Sequence, residues 1–434
     1  MPHAKPRPRA RRAVIVAGSR TPFVRAFTDF LKLDAIGLGC AAVKGLLDQT
    51  GLPGKEVDSI VWGGVILPSG APNTGREIGL DLGLPRDIEA MTVTRACASG
   101  LQAVTLAAAA IERGEADVVI AGGADSTSNA EVKMGQRFVH ALAPLALGKR
   151  MKPKDWLGVA SQLAPLHEIL PQKPEIAERS TGQLMGEAAE EMAKRHGITR
   201  EAQDAFALLS HERAAAAREA GIFDQEIGAV SVGDRVVRQD GLIRADSSLQ
   251  KLAKLRPVFA KDGTLTAGNA SALTDGGGAV LLMSEKKAKE LGLTPLAAFR
   301  SWSYVGVDPA DQLLIGPAIS MPRALERAGM ELSDIDLIDM HEAFAAQVLS
   351  IVKMLESDAW GRERLGRAGK VGEVDPARLN ISGGSLALGH PFAATGARMV
   401  TTMAHALHRE DKQTALLGIC AAGGLGAAAV LERV

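Results

Sequence analysis

Met91-Thr-Val-Thr-Arg95-Ala-Cys97-Ala-Ser-Gly100-Leu-Gln102 is the stretch from which the fold reads outward. An extended run ends at Arg95 and a cysteine follows. Small residues then lead into Leu101–Glu112, an Ala-rich run of strong helix propensity closed by Gly114. The pattern predicts strand, tight turn and helix, with Cys97 in the turn. A thiol so placed lies near the positive end of a helix, where backbone N–H groups lower its pKa from about 8.5. Taken alone, such a cysteine is more often a small apolar core residue. What sets Cys97 apart lies in the C-terminal third.

On either side of this stretch, strand-like runs alternate with helical ones: Ala13–Ala17, a helix over Asp34–Gln49, then Ser59–Val65, Met91–Thr94 and Asp117–Ala121. Such alternation predicts an α/β fold built on a parallel sheet. The rhythm breaks from Ala130 to about Leu255, where strands vanish and helical, charged sequence dominates, including Glu187–His196 and Arg200–Gly221. It resumes at Gly278–Met283, so the broken stretch reads as an insertion. A weak internal repeat matches Gly51-Leu-Pro-Gly-Lys-Glu-Val-Asp58-Ser-Ile60-Val with Gly329-Met-Glu-Leu-Ser-Asp-Ile-Asp336-Leu-Ile338-Asp. Strands with Gly-rich endings recur likewise at Val118–Gly123 and Leu416–Gly424. Two similar halves packed together would place a site between them, with loops from each.

The composition excludes several classes. With 434 residues, 46% hydrophobic and 23% charged, the chain is globular and long enough for two or three domains. Lys+Arg and Asp+Glu are both 50, so no bulk charge draws it to nucleic acid or membrane. Aromatics are only 3%, with one tyrosine, which leaves little for stacking bases. Three cysteines, Cys40, Cys97 and Cys420, make no disulfide framework and point to a reducing, cytoplasmic compartment. The start, Met1–Arg12, is basic, but the apolar run behind it is too short for a signal peptide. Read as a transit peptide, that start would send the protein to the mitochondrial matrix; the strand-like Ala13–Ala17 directly after it favours a ragged N-terminus instead. No window reaches the ~18 apolar residues of a membrane span. Between Val132 and Lys154 the charges are all basic (Lys133, Arg137, Lys149, Arg150, Lys152, Lys154), interleaved with Met134, Phe138, Val139, Leu142, Leu145, Leu147 and Met151. That stretch would suit a partner or a membrane surface, or equally a solvated helix on its own domain.

Four places carry chemistry. Besides Cys97 there is Asp339-Met-His341-Glu-Ala-Phe344, a strand end delivering a histidine into a turn. There is also Ser382-Gly-Gly-Ser-Leu-Ala-Leu-Gly389-His390-Pro391, where Pro391 is suited to open a helix and hold His390 at its entrance. The last is Gly418-Ile-Cys420-Ala-Ala-Gly-Gly424-Leu-Gly426, a strand end opening into a glycine loop with exposed N–H groups. Zinc is disfavoured, since no pair has short ligand spacing. Two cysteines and two histidines in Gly-rich strand-to-helix turns instead suit a nucleophile, its base, a second proton carrier and an oxyanion donor.

These blocks, in this order and spacing, resemble the thiolase family over nearly the whole chain, from Arg12 to Val434. The His341-Glu-Ala-Phe form, where biosynthetic members typically carry Asn, and the long insertion resemble the thiolase subunits of fatty-acid oxidation complexes. One departure is Cys420-Ala421-Ala422-Gly423-Gly424, where the family more often has Cys-x-Gly-Gly-Gly; Ala422 still supplies an N–H. The resemblance implies a thiolase fold of two similar halves, each a mixed five-stranded sheet, in five αβαβα layers. The N-terminal half would be 1–129 and 256–284, the helical loop domain 130–255, and the C-terminal half 285–434.

For activity, the resemblance implies thiolytic cleavage of 3-ketoacyl-CoA, with Cys97 as nucleophile and His390 as base. His390 and His341 would form an oxyanion hole, and Cys420 would be the proton carrier. Met185, Ser271, Phe344, Ala422 and Gly424 would meet the substrate. It implies no metal and no cofactor, with CoA a substrate. It also implies a homodimer or tetramer, with a hydratase/dehydrogenase subunit as a further candidate partner. A short-chain acetoacetyl-CoA thiolase is the neighbouring alternative, and a silent acyl-CoA-binding scaffold the remote one. A ketoacyl synthase would replace Cys420 by histidine.

Overall fold

Along one strand near the middle of the sheet, Val118 and Ile120 face one core while Val119 and Ala121 face another. On a second strand Leu416 faces a third core, while Ala415 and Leu417 share the one that receives Val119. Period-two burial on both faces requires helices on both sides, and the chain supplies three layers of them. The structure, a computed structural model, describes residues 11–132, 134–148, 150–163, 170 and 177–434. Most of the basic start Met1–Arg12, together with Lys133 and Lys149, lies outside the described residues.

The first half runs β1 (Ala13–Arg20), β2 (Val24–Arg25), α1 (Ala35–Thr50), β3 (Ser59–Gly63), α2 (Thr74–Asp81), β4 (Glu89–Val93), α3 (Ser99–Arg113) and β5 (Val118–Ser126). Helix α1 forms because Leu38, Ala42, Val43 and Leu46 recur on one buried face. It starts where Asp34 accepts from the Gly37 N–H and ends at Gly51 in the left-handed region, φ 64°. Helix α3 ends the same way at Gly114, φ 79°.

The next stretch holds α4 (Gln136–Ala146), α5 (Pro153–Gln162), α6 (Met185–His196), α7 (Arg200–Glu219), β6 (Val230–Val232) and β7 (Arg235–Val237). The expectation that strands vanish here fails at β6 and β7, a hairpin turning on Gly233 at φ 57° with Asp234 beside it. By compactness the chain divides into two units. One is Ala130–Ala177, in which α4 and α5 pack together. The other comprises the chain up to Asn129 with Glu178–Val434, so the separable unit is narrower than the 130–255 insertion read from sequence.

The first half is completed by β8 (Thr274–Ser284), buried at all eleven positions. The second half follows as β9 (Ala297–Gly306), α8 (Pro317–Ala328), β10 (Leu337–Met340), α9 (Ala345–Leu355), α10 (Ala393–Arg409), β11 (Thr414–Ala421) and β12 (Leu425–Arg433). In half one, β1 is antiparallel to β8 and β8 to β5, while β5–β3 and β3–β4 are parallel. Half two repeats this order as β9–β12–β11–β10, with its fifth position reduced to a single parallel bridge, Ile338 to Leu379. The halves join through Val14–Ala298 and Ile15–Ala297 between β1 and β9, making one continuous sheet.

The five layers are then α1 with α2, the first half-sheet, α3 with α10, the second half-sheet, and α8 with α9. Helices α3 and α10 touch backbone to backbone. A Cβ on Gly100 would lie 2.1 Å from the Ala393 carbonyl oxygen, and one on Gly396 would lie 2.3 Å from the Leu101 nitrogen. That approach brings the loop before each helix to a common point. Among the described residues, no helix is long and apolar enough to cross a membrane.

Candidate active site

Cys97 sits in the turn between β4 and α3. The turn is pinned by the Arg95 N–H donating to Ser99 Oγ (2.7 Å), whose hydroxyl donates to the Ala96 carbonyl (2.6 Å). Ala96 is thereby held at φ 45°, which an alanine adopts only under constraint. His390 holds the matching place before α10. Pro391, read from sequence as the first helical residue, stands two residues short of it, because Phe392 intervenes at φ 30° and the helix opens at Ala393. His341 leaves β10 with its N–H on the Gly418 carbonyl of β11 (2.8 Å). Cys420 is the last residue but one of β11 and is buried.

The four residues converge. The rings of His341 and His390 lie 4.1 Å apart, centroid to centroid, tilted by 45°. Cys97 Sγ and a ring nitrogen of each histidine all lie within 4.8 Å of one another, a set that could also grip a soft metal ion despite the long ligand spacing. Each imidazole is fixed from behind: His341 Nδ1 by Ser385 Oγ (3.0 Å) and His390 Nδ1 by Thr395 Oγ1 (2.7 Å). Both Nε2 atoms are buried without a hydrogen-bond partner. Buried nitrogens are almost always satisfied, so two orphans aimed at one spot mark a place built for something that is not protein.

Electrostatics keep the site neutral at rest. Burial drives His390 down to about 3, with the Arg398 guanidinium adding to the effect, and drives His341 well below its usual value. Burial raises Cys420 well above the ordinary thiol range, and nearby Cys97 adds to it. The expectation of an acidified Cys97 is corrected here. Desolvation pushes it up to about 11, and the Asp125 carboxylate pushes the same way. The N–H groups of Ala422 and of Cys97 itself, both directed at the sulfur, oppose the rise without cancelling it.

Several supporting residues escaped the sequence reading. Glu342, fully buried, accepts from Asn380 Nδ2 (2.7 Å), Ser210 Oγ (2.7 Å) and the Leu386 N–H (3.1 Å), tying the His341 turn to the Ser385 segment. Asp125, on β5, accepts from the N–H groups of Val65 (2.9 Å), Ile66 (2.6 Å) and Ala393 (2.8 Å), and so holds the start of α10 to the loop after β3. Asp339 pairs with Arg398 at 2.7 Å, both buried, joining β10 to α10. Ser385, Thr395 and Arg398 stand inside the block around His390. For Thr395 and Arg398 the signal was spacing on a helix whose register the misplaced start obscured.

Of the residues expected to meet substrate, Met185, Ser271 and Phe344 lie beside one another. Met185 opens α6, Phe344 caps α9, and the Phe344 ring meets Phe259 edge-on at 6.0 Å. The Ser271 N–H donates to the Ala343 carbonyl (3.0 Å), and Ala270 bridges Phe344. A cavity of about 430 Å³ opens here, lined by Arg25, Arg244, Phe259, Ala270, Ser271 and Leu273, and Leu273 itself bridges His390. Gly424 is engaged with Val307: its carbonyl accepts from the Val307 N–H (2.6 Å), and a Cβ there would lie 2.4 Å from the Val307 oxygen.

Two family models match: "Thiolase, N-terminal domain" over residues 13–286 and "Thiolase, C-terminal domain" over 293–433. The chain is 46% identical over 424 residues to a 3-ketoacyl-CoA thiolase of Escherichia coli strain 55989, covering 97% of each. Among solved structures it resembles the Bacillus anthracis acetyl-CoA acetyltransferase at 32% identity and TM-score 0.81, covering 98% of this chain and 99% of that one. It also resembles human mitochondrial 3-ketoacyl-CoA thiolase in complex with CoA at 31% identity and TM-score 0.81, covering 98% of both.

Proposed function

The chain belongs to the thiolase family, and from that premise we propose how it divides the work of its reaction among four side chains. It is an acyltransferase that cleaves 3-ketoacyl-CoA with CoA. Cys97 Sγ attacks the 3-keto carbon while His390 Nε2 takes its proton, a necessary partner for a thiol near 11. The Cys97 and Ala422 N–H groups hold the resulting alkoxide. As the carbon–carbon bond breaks, its electron pair passes into the enolate of acetyl-CoA, whose oxygen receives hydrogen bonds from the two histidine Nε2 atoms. Cys420 protonates the enolate carbon, then takes the proton of incoming CoA. The CoA sulfur captures the acyl group, and the Cys97 thiolate regains its proton from His390. The unpartnered Nε2 pair carries this reading, because donors fixed beforehand at a developing oxyanion are worth about 2.7–4 kcal/mol each. Donation by His341 Nε2 requires its Nδ1 to accept from Ser385, and a neutral ring well below its usual pKa has that tautomer open to it.

Arg25 and Arg244, at the cavity beside Ser271, suit the phosphates of CoA, and Met185 and Phe344 suit its pantetheine and acyl portions. Neither a metal nor a prosthetic group enters these steps. A cytoplasmic place in β-oxidation accords with three free cysteines and with His341 in place of Asn. Homo-oligomerisation is supported by β4, an edge strand with Met91 exposed. Docking of a hydratase/dehydrogenase subunit rests on the basic stretch around α4 and α5.

Cleavage of 3-ketoacyl-CoAs from four to sixteen carbons, with Cys97→Ala as blank, tests the reading. Activity rising with chain length supports it. Activity confined to acetoacetyl-CoA replaces it with the short-chain alternative, and none at all leaves the silent scaffold. Cys420→Ser should still be acylated by acetyl-CoA yet fail to turn over; normal turnover would refute the proton-carrier role.

A further inference from the structure

Glu178 lies far from the catalytic blocks in sequence, yet its carboxylate touches the loop that follows Cys420. Its Oε2 accepts the Gly423 N–H at 2.9 Å, one residue beyond the Ala422 N–H that points at Cys97 Sγ. Its Oε1 accepts from both the N–H (3.1 Å) and the hydroxyl (2.7 Å) of Ser180. The residue is 8% exposed. We propose that Glu178 is a positioning residue, a clamp that sets the Ala422 N–H on the nucleophile and so shapes the alkoxide-binding half of the site. The role rests on the thiolase mechanism given above.

The loop needs such a clamp. Gly423 and Gly424 both take left-handed φ, 83° and 63°, and glycine is the residue that least resists leaving a chosen conformation. Its far end is held at Gly424, whose carbonyl accepts from the Val307 N–H and where an added Cβ would lie 2.4 Å from the Val307 oxygen. Its near end is held by β11. Between them the Ala422–Gly423 peptide donates its N–H to Glu178.

The clamp stands on a firm base. The Glu178 N–H donates to the Gln183 carbonyl (2.8 Å) and the Gly182 N–H to the Glu178 carbonyl (2.7 Å). Leu184 then enters α6 with its N–H on Glu187 (2.9 Å). Helix α6 packs on α9, which follows directly from the His341 turn. Glu178 therefore refers the Ala422 N–H to the same scaffold that orients His341. The Ser180 donors hold its carboxyl below the usual range, so it grips as an anion.

The test compares Glu178→Ala, Glu178→Gln and Ser180→Ala with the unaltered chain in two assays: thiolysis, and the pH dependence of Cys97 alkylation by iodoacetamide. Glu178→Ala should lower kcat by about ten- to a hundredfold with KM within about twofold, somewhat less than outright loss of an oxyanion donor. It should also move the alkylation profile to higher pH, since an N–H no longer faces the thiol. Glu178→Gln, whose amide oxygen can still accept from Gly423, should recover most of both. If Glu178→Ala fails to fold, Ser180→Ala carries the test and should lower kcat without changing KM. Unchanged kcat and alkylation in these variants would overturn the clamp, as would equal losses in Glu178→Ala and Glu178→Gln. An unaltered chain inactive on every 3-ketoacyl-CoA, with the alkylation shift still present, would instead sink the thiolase mechanism and leave the clamp.

Discussion

At His390 the local chemistry is decided by burial. A ring with a folded value of about 3, against about 6.5 when unfolded, binds its proton in the unfolded state first as pH falls. Its contribution to stability is therefore complete above pH 6.5 and is lost as pH drops towards 3. Asp125, raised to about 7, titrates with the opposite sign, so total stability would blur the effect. The clean measure is the difference between the unaltered chain and His390→Gln in urea unfolding. Between pH 7 and 5 the unaltered chain should lose about 2 kcal/mol more than the variant; parallel pH curves would show that the ring is not dry. That Cys97, His341, His390 and Cys420 would meet was legible because cysteine and histidine in Gly-rich turns have few bland uses in combination. The sign of the Cys97 shift was not legible. A helix terminus is visible in sequence, whereas the desolvation that outweighs it depends on residues from both halves.

Most strands and helices could be read from pattern, because period two and period 3.6 differ over runs as long as β8 and α1. The failures were local. The hairpin β6–β7 is too short for its alternation to stand out, and the start of α10 depends on the unusual Phe392 backbone. What sequence could not disclose was why Gly100 and Gly396 are glycines, since each answers to the other helix. Gly396→Ala puts a methyl group where the Leu101 backbone already lies. Overpacking of this kind costs about 1–3 kcal/mol, and here it would also wedge Cys97 from His390. The denaturation midpoint should fall and kcat/KM with it; a variant equal to the parent in both would mean that the helices part without cost.

For the whole molecule, the weak repeat proved the best guide. Its two copies lead into β3 and β10, which hold equivalent places in the two half-sheets, and the Gly-rich endings fall on β5 and β11 in the same way. The bounds of the separable unit were less legible, because α6 and α7 are as helical and charged as α4 and α5 yet belong to the larger unit. The proposed assembly rests on β4, which pairs on one side only and carries no lysine or proline to discourage a neighbour. Light scattering should give at least a dimer, and Met91→Lys should shift it towards monomer; an unchanged mass would place the interface elsewhere.

The double pairing of β1 also has a consequence in time. This strand leaves the ribosome well before both its neighbours, β8 and β9, which begin only at Thr274 and Ala297. At about 5–20 residues per second, an apolar strand waits many seconds with both edges open while the intervening chain is synthesised. Neither half-sheet can close in order of synthesis. The cell must shelter this strand until its two partners have been made.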